Sequence, residues 1–154
     1  MIGYYARRTP AELDRMIREP ASARRLASEL VTAERVLNID KAWDRIGDLL
    51  DEFDFPVDVV YGEEILPGSD GWGPLGYLTS KQVQEAAEAL LQFRPETLVT
   101  EFFTPRSPVQ AGTDPHVIRE RSGVVDYVLS HFESLAAFIQ TAARAHDAII
   151  MWQY

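Results

Sequence analysis

Residues 36–53, VLNIDKAWDRIGDLLDEF, combine two patterns that recur at helical spacing. The apolar members lie three or four residues apart and so share one helical face; they are Trp43, Ile46, Leu50 and Phe53. The acidic members share another face; they are Asp40, Asp44, Asp48 and Asp51. The stretch predicts a helix over 39–53, capped by Asn38 or Asp40, with an apolar stripe for a core and an acidic ladder for water or a partner.

Length and composition are those of a soluble globular protein with one domain over residues 1–154. A chain of this length buries a sizeable core, and its 46% apolar and 25% charged residues are ordinary values. The absence of cysteine excludes disulfides and thiolate metal sites, and it favours a cytoplasmic location. No apolar run is long enough for a signal peptide or a bilayer span, so no membrane association is expected.

The formal net charge of −9 is concentrated in the middle of the chain. Residues 46–80 hold eight acidic residues and no lysine or arginine, whereas the flanking segments mix both signs. Nucleic-acid binding needs a basic surface, so this charge pattern argues against it. Three alternatives stay open: the acidic segment steers a basic protein partner, it binds a cation, or it is a solvated surface that keeps the protein soluble.

Turn and capping signals divide the rest of the chain into strands, helices and loops. Capping boxes at Thr9-Pro10-Ala11-Glu12 and Thr79-Ser80-Lys81-Gln82 predict two helix starts. The other predicted helices begin at Pro20, at Pro95 and at 123, the last ending at 145, although VTEFF at 99–103 is also compatible with a strand. The predicted strands are 2–8, 57–61 and 148–152, and the predicted irregular segments are 62–74 and 104–122, the second with one helical turn.

These elements predict an α+β fold. The strands at 2–8, 57–61 and 148–152 are expected to share one small mixed or antiparallel sheet. The helices at 39–53 and 124–145 are expected to pack on that sheet, because their apolar faces have no other place to be buried.

Three motifs together resemble the YfbM-like family of small bacterial proteins. They are DKAW at 40–43 followed by Leu49-Leu50, GWGPLGYLTSKQV at 71–83, and A-x-A-x-x-x-I-I-x-W at 143–152. The family has an α+β fold and no characterised function, so the resemblance implies a fold and supplies no activity. Its members usually carry a histidine where this chain has Gly47, and an aromatic-rich segment where this chain has DPHVIRE at 114–120, so a shared histidine chemistry is not expected here.

Carboxylates and aromatic residues between 44 and 77 are the candidate binding residues. They are Asp44, Asp48, Glu63, Glu64, Asp70, Trp72 and Tyr77. The carboxylates suit a cationic group of a partner, or, together with the two aromatic residues, a sugar or an amine. A calcium-loop spacing, an H-E-x-x-H motif, a nucleophile elbow and a phosphate-binding loop are all absent. No metal site, cofactor or catalytic residue is therefore predicted.

Two functions from different classes follow from these residues. The first is a non-enzymatic acidic module that binds a basic protein partner, for example in an immunity- or inhibitor-like role. The alternative is a small enzyme or ligand-binding protein that uses the loop at 62–77. A deep pocket lined by Glu63, Glu64, Trp72 and Tyr77 favours the alternative, and a convex acidic face favours the first.

Overall fold

The fold is a five-stranded antiparallel sheet with helices on both faces. The computed structural model describes residues 1–23, 25, 35–66, 74–105 and 114–154. Its strands are β1 (Gly3–Arg8), β2 (Val36–Asn38), β3 (Glu64–Leu66), β4 (Leu75–Leu78) and β5 (Ala148–Gln153). The helices are α1 (Pro10–Arg18), α2 (Ala42–Glu52), α3 (Ser80–Gln92), α4 (Pro95–Phe103) and α5 (Pro115–Arg144). The strand order is β2-β1-β5-β4-β3, and the predicted α+β class is confirmed.

The last strand, β5, forms the centre of the sheet. It pairs along its whole length with β1, from Gly3 opposite Gln153 to Arg8 opposite Ala148, and its other edge pairs with β4. Residues 148–151 are all buried, as expected for a central strand covered on both faces. The predicted strands at 2–8 and 148–152 are therefore confirmed.

Alternating residues of the central strands enter two separate cores. Tyr5, Ile149 and Met151 belong to the larger core, where α2, α3, α4 and α5 cover one face of the sheet. Ala6 and Ile150 belong to the smaller core, where α1 covers the opposite face. The expected packing of the helices at 39–53 and 124–145 against the sheet is confirmed.

Capping boxes start two of the helices, and a proline starts a third. In α1 the Thr9 hydroxyl accepts the amide of Glu12 while the Glu12 carboxylate accepts the amide of Thr9. Thr79 and Gln82 make the same reciprocal pair at α3, which confirms both predicted capping boxes. Pro95 opens α4, so the segment at 99–103 is helical and not a strand.

The predicted caps of α2 were wrong. Asn38 accepts the amide of Asp40 and so stabilises the turn before the helix, and Asp40 has a left-handed backbone with φ of 49°. The N-cap residue is Lys41, which makes no side-chain cap. The Tyr127 hydroxyl of α5 accepts the amide of Lys41 and donates to Asp40, so this helix start is capped from a distant element.

The predicted strand at 57–61 is a turn, and the predicted loop at 62–74 contains a strand. Asp58 uses its side chain to accept the amides of Val60 and Tyr61, which bends the backbone and removes those amides from any sheet. The chain becomes extended six residues after Asp58, at Glu64, where β3 pairs with β4. Residues 67–73 of the predicted loop lie outside the described residues.

The longest helix, α5, begins earlier than predicted. Residues 115–122, expected in an irregular segment, are helical because Asp114 caps the amide of His116 and Pro115 fits the first helical turn. At Pro20, where a helix was predicted to begin, the structure has a short 3-10 turn, Pro20–Ser22, and residues 26–34 lie outside the described residues. None of the described helices combines the length and apolar character that a bilayer span requires.

Candidate functional site

An acidic groove of about 290 Å³ lies between α2 and the segment 55–63. We call this concavity the acidic groove, because five carboxylates line it. They are Asp44, Asp48, Asp51, Asp58 and Glu63. Its other lining residues are Gly47, Leu50, Phe55, Pro56, Val57, Val59, Val60 and Tyr61. No lysine, arginine or histidine is among the described lining residues, so the groove combines negative charge with an apolar floor.

Three of the five carboxylates come from one side of α2. The residues of α2 that are buried in the larger core are Ala42, Ile46, Leu49 and Leu50. Asp44, Asp48 and Asp51 follow one another at steps of four and three residues and are exposed. At a rise of 1.5 Å per residue, this row spans roughly 10 Å along the helix axis.

The row is only weakly neutralised. Arg45 approaches Asp48 at 3.7 Å, but both side chains are more than half exposed, so the pair contributes little stability. Asp44 and Asp51 form no ion pair with any residue that the structure describes. Like charges four residues apart on a helix repel one another, so the free protein retains an unfavourable interaction that a bound cation would relieve.

The turn at 58–62 forms the opposite wall of the groove. One oxygen of the Asp58 carboxylate, Oδ1, accepts the amides of Val60 and Tyr61 at 3.0 and 2.8 Å. The Glu63 Oε1 accepts the amide of Asp58 at 2.7 Å, and the Asp58 carbonyl accepts the amide of Gly62. The Asp58 and Glu63 carboxylates therefore stabilise the wall that they line. The second oxygen of each carboxylate forms no hydrogen bond with a described residue.

Two glycines allow this turn to lie directly on the sheet. An added Cβ on Gly76, in β4, would stand 1.7 Å from the carbonyl oxygen of Tyr61. Gly62 has φ of +89°, and a Cβ there would stand 2.6 Å from the amide nitrogen of Tyr77. Because side chains at these positions would separate the turn from β4, the wall of the groove depends on both glycines.

An aromatic pair lies beside the carboxylates. The Tyr61 ring is 53% exposed and meets Trp43 edge to face, with the ring centroids 6.0 Å apart. Burial, followed by the negative charges of Asp44 and Asp58, raises the pKa of the Tyr61 hydroxyl above its ordinary value. Tyr61 therefore lies within the electrostatic field of the groove, and its ring offers a face to a cation.

A second tyrosine, Tyr5, lies in the larger core. Tyr5 is 1% exposed, and its hydroxyl has no hydrogen-bond partner among the described residues. Burial raises the pKa of Tyr5 strongly, and the next contributions come from Asp58 and Tyr61. The Tyr5 side chain enters the larger core beside Met151, whose sulfur lies against Gly62. The larger core, to which Val59 and Val60 of the turn also belong, thus contains an unsatisfied polar atom.

The structure brings together three of the candidate residues and separates two others. Asp44, Asp48 and Glu63 line the acidic groove. Glu64 lies opposite Tyr77 in the β3–β4 pair, and Tyr77 packs with the smaller core on the α1 side. The remaining two candidates, Asp70 and Trp72, lie outside the described residues.

Three polar side chains of the groove, those of Asp51, Asp58 and Tyr61, were absent from the predicted site. Asp51 belonged to the acidic ladder of α2, and its helical spacing was a sufficient signal to include it. Asp58 and Tyr61 were assigned to a strand, and that wrong assignment hid their role. The pattern Asp-x-Val-Tyr-Gly, in which an aspartate can cap a turn ending in glycine, was the signal that could have found them.

The histidines are placed apart from the groove. His131 contacts the ring of Tyr127, and His116 approaches Glu120 at 3.6 Å. Within the described ranges, no three or more acidic or histidine residues are grouped so that they could hold a metal ion. The groove therefore presents carboxylates and the side chain of Tyr61 on its surface.

Comparisons with known proteins identify a family. The family model for a domain of unknown function, DUF1877, matches residues 1–152. The crystal structure of a protein of unknown function, YfbM from Escherichia coli, has a similar fold, with a TM-score of 0.67 and 18% sequence identity over 98% of each chain. No curated protein matches the sequence.

Proposed function

The chain belongs to the DUF1877 family, as its resemblance to YfbM-like proteins predicted, and since neither comparison carries an activity, we propose from its geometry that it is a non-enzymatic protein-binding module. In this proposal the acidic groove docks a basic segment of a partner protein. The partner's lysine or arginine side chains lie along the row of α2 aspartates. Its apolar atoms pack on the floor formed around Leu50, Phe55 and Val57.

The observation that carries the proposal is the union of five carboxylates and an apolar floor in one concavity. A purely solvating acidic surface needs neither the concavity nor the apolar floor. The surface is concave, whereas a convex acidic face was the feature expected to favour this function. The concave shape suits an extended segment about three residues long, since roughly 10 Å corresponds to three residues at 3.3 Å each.

The alternative function lacks its site in the described residues. It required Glu63, Glu64, Trp72 and Tyr77 to line one pocket, and Trp72 lies outside the described residues. Glu63 faces the groove, whereas Glu64 and Tyr77 lie on the α1 side of the sheet. Among its described lining residues the groove offers carboxylates and one tyrosine but no histidine, cysteine or serine, so we infer that it supports binding better than catalysis.

Reversing the charges of the groove tests the proposal. We expect the triple variant Asp44→Lys, Asp48→Lys and Asp51→Lys to bind a basic octapeptide of alternating lysine and alanine at least 10-fold more weakly, mainly through slower association. The wild-type affinity is expected to fall as salt rises from 50 to 300 mM, because exposed charges are screened beyond about 8 Å at physiological ionic strength. Stopped-flow kinetics with a labelled peptide measures both effects.

A second triple variant controls for net charge. Glu64→Lys, Glu88→Lys and Glu101→Lys alter exposed residues that do not line the groove, and they change the net charge by the same amount. We expect this variant to retain peptide binding within about twofold to threefold of wild type, apart from long-range attraction lost at low salt. Equal losses of peptide affinity in the two triple variants would refute docking at the groove. A peptide affinity that does not change with salt concentration would also refute it.

The acidic row is expected to reduce the stability of α2. Asp51 lies in the last turn, where the helix dipole disfavours negative charge, and this turn contains no basic residue. Asp51→Lys should therefore raise the free energy of unfolding by about 0.5–1 kcal/mol. Asp44→Lys is the matched control, because Asp44 lies in the first turn, where the helix dipole favours its charge. Its reversal loses that stabilisation but also removes the repulsion from Asp48, so stability should not rise. Urea unfolding curves that shift in the same direction for both variants would contradict this account.

A further inference from the structure

We infer that the outer edge of β3 is a docking site for an extended segment of the partner, which adds to the sheet as a further strand with alternating basic and apolar side chains. This inference rests on the proposed function and continues the docked segment from the acidic groove onto the sheet. Glu63 lines the groove, and the next residue, Glu64, begins β3. Consecutive Cα atoms are about 3.8 Å apart, so the groove and the strand meet at this point.

The backbone of β3 offers hydrogen-bonding groups to such a segment. β3 is the last strand in the order β2-β1-β5-β4-β3, and in the described sheet it pairs with β4 alone. The other side of its backbone therefore presents N–H and C=O groups outside the sheet. An extended peptide can pair with groups of this kind, and main-chain hydrogen bonds then supply much of the affinity.

The exposed side chain of Ile65 distinguishes this edge of the sheet from the opposite one. In β2, Val36 packs against the smaller core and Leu37 against the larger core. Ile65, in contrast, is 64% exposed in the middle of β3. Edge strands are commonly protected by charges, prolines or bulges, so a large apolar side chain exposed on one marks a site that another chain can cover.

Ile65 lies on the face of the sheet that carries the wall of the groove. It is opposite Gly76 in the β3–β4 register, and opposite residues project to the same face. A Cβ on Gly76 would point at the carbonyl of Tyr61, so this is the face on which the turn at 58–62 lies. The exposed side chain of Ile65 therefore extends the binding surface on the same side as the groove.

The alternation of side chains along a strand determines what the segment must contain. The partner residue opposite Ile65 projects to the same face as Ile65, where an apolar β-branched side chain would cover it. The partner residue opposite Glu64 projects to the other face, where the exposed Glu64 carboxylate suits a lysine or an arginine. A segment that alternates basic and apolar residues satisfies both positions, and its basic side chains also suit the acidic groove.

Charge favours a basic segment over a second copy of this chain as the occupant. Pairing of two β3 edges would bring two Glu63-Glu64 pairs close together, beside two acidic grooves, in a chain whose net charge is −9. Like charges placed close together in a strand pair destabilise it. A basic segment meets the same carboxylates with the opposite charge, which favours its association.

Peptide affinities test the strand addition. We compare the octapeptide of alternating lysine and alanine, called the lysine peptide, with a lysine–valine peptide in which valine replaces each alanine. We expect wild type to bind the lysine–valine peptide about 10-fold more tightly, because valine favours the extended backbone and covers Ile65. Fluorescence titration of labelled peptides measures both affinities.

Backbone methylation separates strand pairing from side-chain contact. One version of the lysine–valine peptide is N-methylated at its two central valines, and another at its two central lysines. The amides of alternate residues point to opposite edges of a strand, and only one edge of the peptide pairs with β3. One methylated peptide should therefore lose the gain in affinity, whereas the other keeps it.

A variant of β3 locates the contact on the protein. Ile65→Thr removes apolar surface and keeps a β-branched residue in the strand, so its urea midpoint should stay close to that of wild type. We expect this variant to lose most of the gain of the lysine–valine peptide and to bind the lysine peptide within about twofold of wild type. Leu91→Thr is the matched control, because Leu91 is 70% exposed on α3 and does not line the groove; it should leave both affinities unchanged.

Three results overturn the strand addition: equal affinities for the two unmethylated peptides, equal effects of the two methylation patterns, or equal losses in Ile65→Thr and Leu91→Thr. A wild-type dimer in sedimentation velocity that Ile65→Thr dissociates also overturns it, because a second copy then occupies the edge. Docking at the groove survives these results if the α2 triple variant still loses affinity for the lysine peptide. Failure of both unmethylated peptides to bind wild type overturns both inferences.

Discussion

Gly76→Ala is expected to lower the free energy of unfolding by about 3 kcal/mol, at the upper end of the usual cost of overpacking. The added methyl group would stand 1.7 Å from the Tyr61 carbonyl oxygen and 2.8 Å from its carbonyl carbon. Both are backbone atoms of a turn held by Asp58, so the contact cannot be relieved by rotating a side chain. The turn must lift from β4, and the wall of the acidic groove moves with it.

A glycine in open space supplies the control for this substitution. Gly123 lies inside α5 with nothing within 4 Å of the position of its Cβ. Gly123→Ala should raise the free energy of unfolding by about 1 kcal/mol, the difference in helix propensity between the two residues. Urea unfolding of both variants, together with octapeptide binding by Gly76→Ala, measures the contrast. A Gly76→Ala variant with wild-type stability and binding would mean that the turn does not rest on the sheet.

The elements that the sequence predicted correctly are those whose signals are local. The capping boxes at Thr9 and Thr79 each lie within four residues, and the apolar period of α2 lies within one helix. Residues 148–152 are a short apolar run, and such a run at the centre of a sheet needs no alternation. In each of these elements the side chains that determine the structure are close together in the chain. Their local preferences agree with the overall fold, so local patterns were enough to predict them.

The groove depends on relations that no local pattern contains. The run VDVVY at 57–61 satisfies a strand pattern but forms a turn. One oxygen of the Asp58 carboxylate accepts hydrogen bonds from two backbone amides, which bends the chain. Gly76, fifteen residues beyond Tyr61, leaves room for this turn on the sheet. The neighbouring residues Glu63 and Glu64 were predicted to act together. They separate because β3 begins at Glu64, and its register pairs that residue with Tyr77 on the other side of the sheet.

Trp43→Ala is expected to lower the free energy of unfolding by about 3 kcal/mol, the low end of the usual range for a truncated core aromatic residue. The low end applies because the indole is only partly buried at the edge of the larger core. Three contacts would be lost: the packing of the indole on Gly3, the edge-to-face contact with Tyr61, and the hydrogen bond from its Nε1–H to the carbonyl of Met1 at 3.2 Å.

Trp43→Phe separates packing from hydrogen bonding in the same position. Phenylalanine retains an aromatic edge for Tyr61 but cannot donate to Met1, so its stability loss should be about 1 kcal/mol, close to the value of one hydrogen bond. Because Trp43 supports the ring that lines the groove, Trp43→Ala should also weaken lysine-peptide binding, whereas Trp43→Phe should preserve it. An unchanged urea midpoint in Trp43→Ala would show that this edge of the core contributes no stability. Lost stability with unchanged peptide binding would show instead that Tyr61 holds its position without the indole, in which case the turn alone orients the groove.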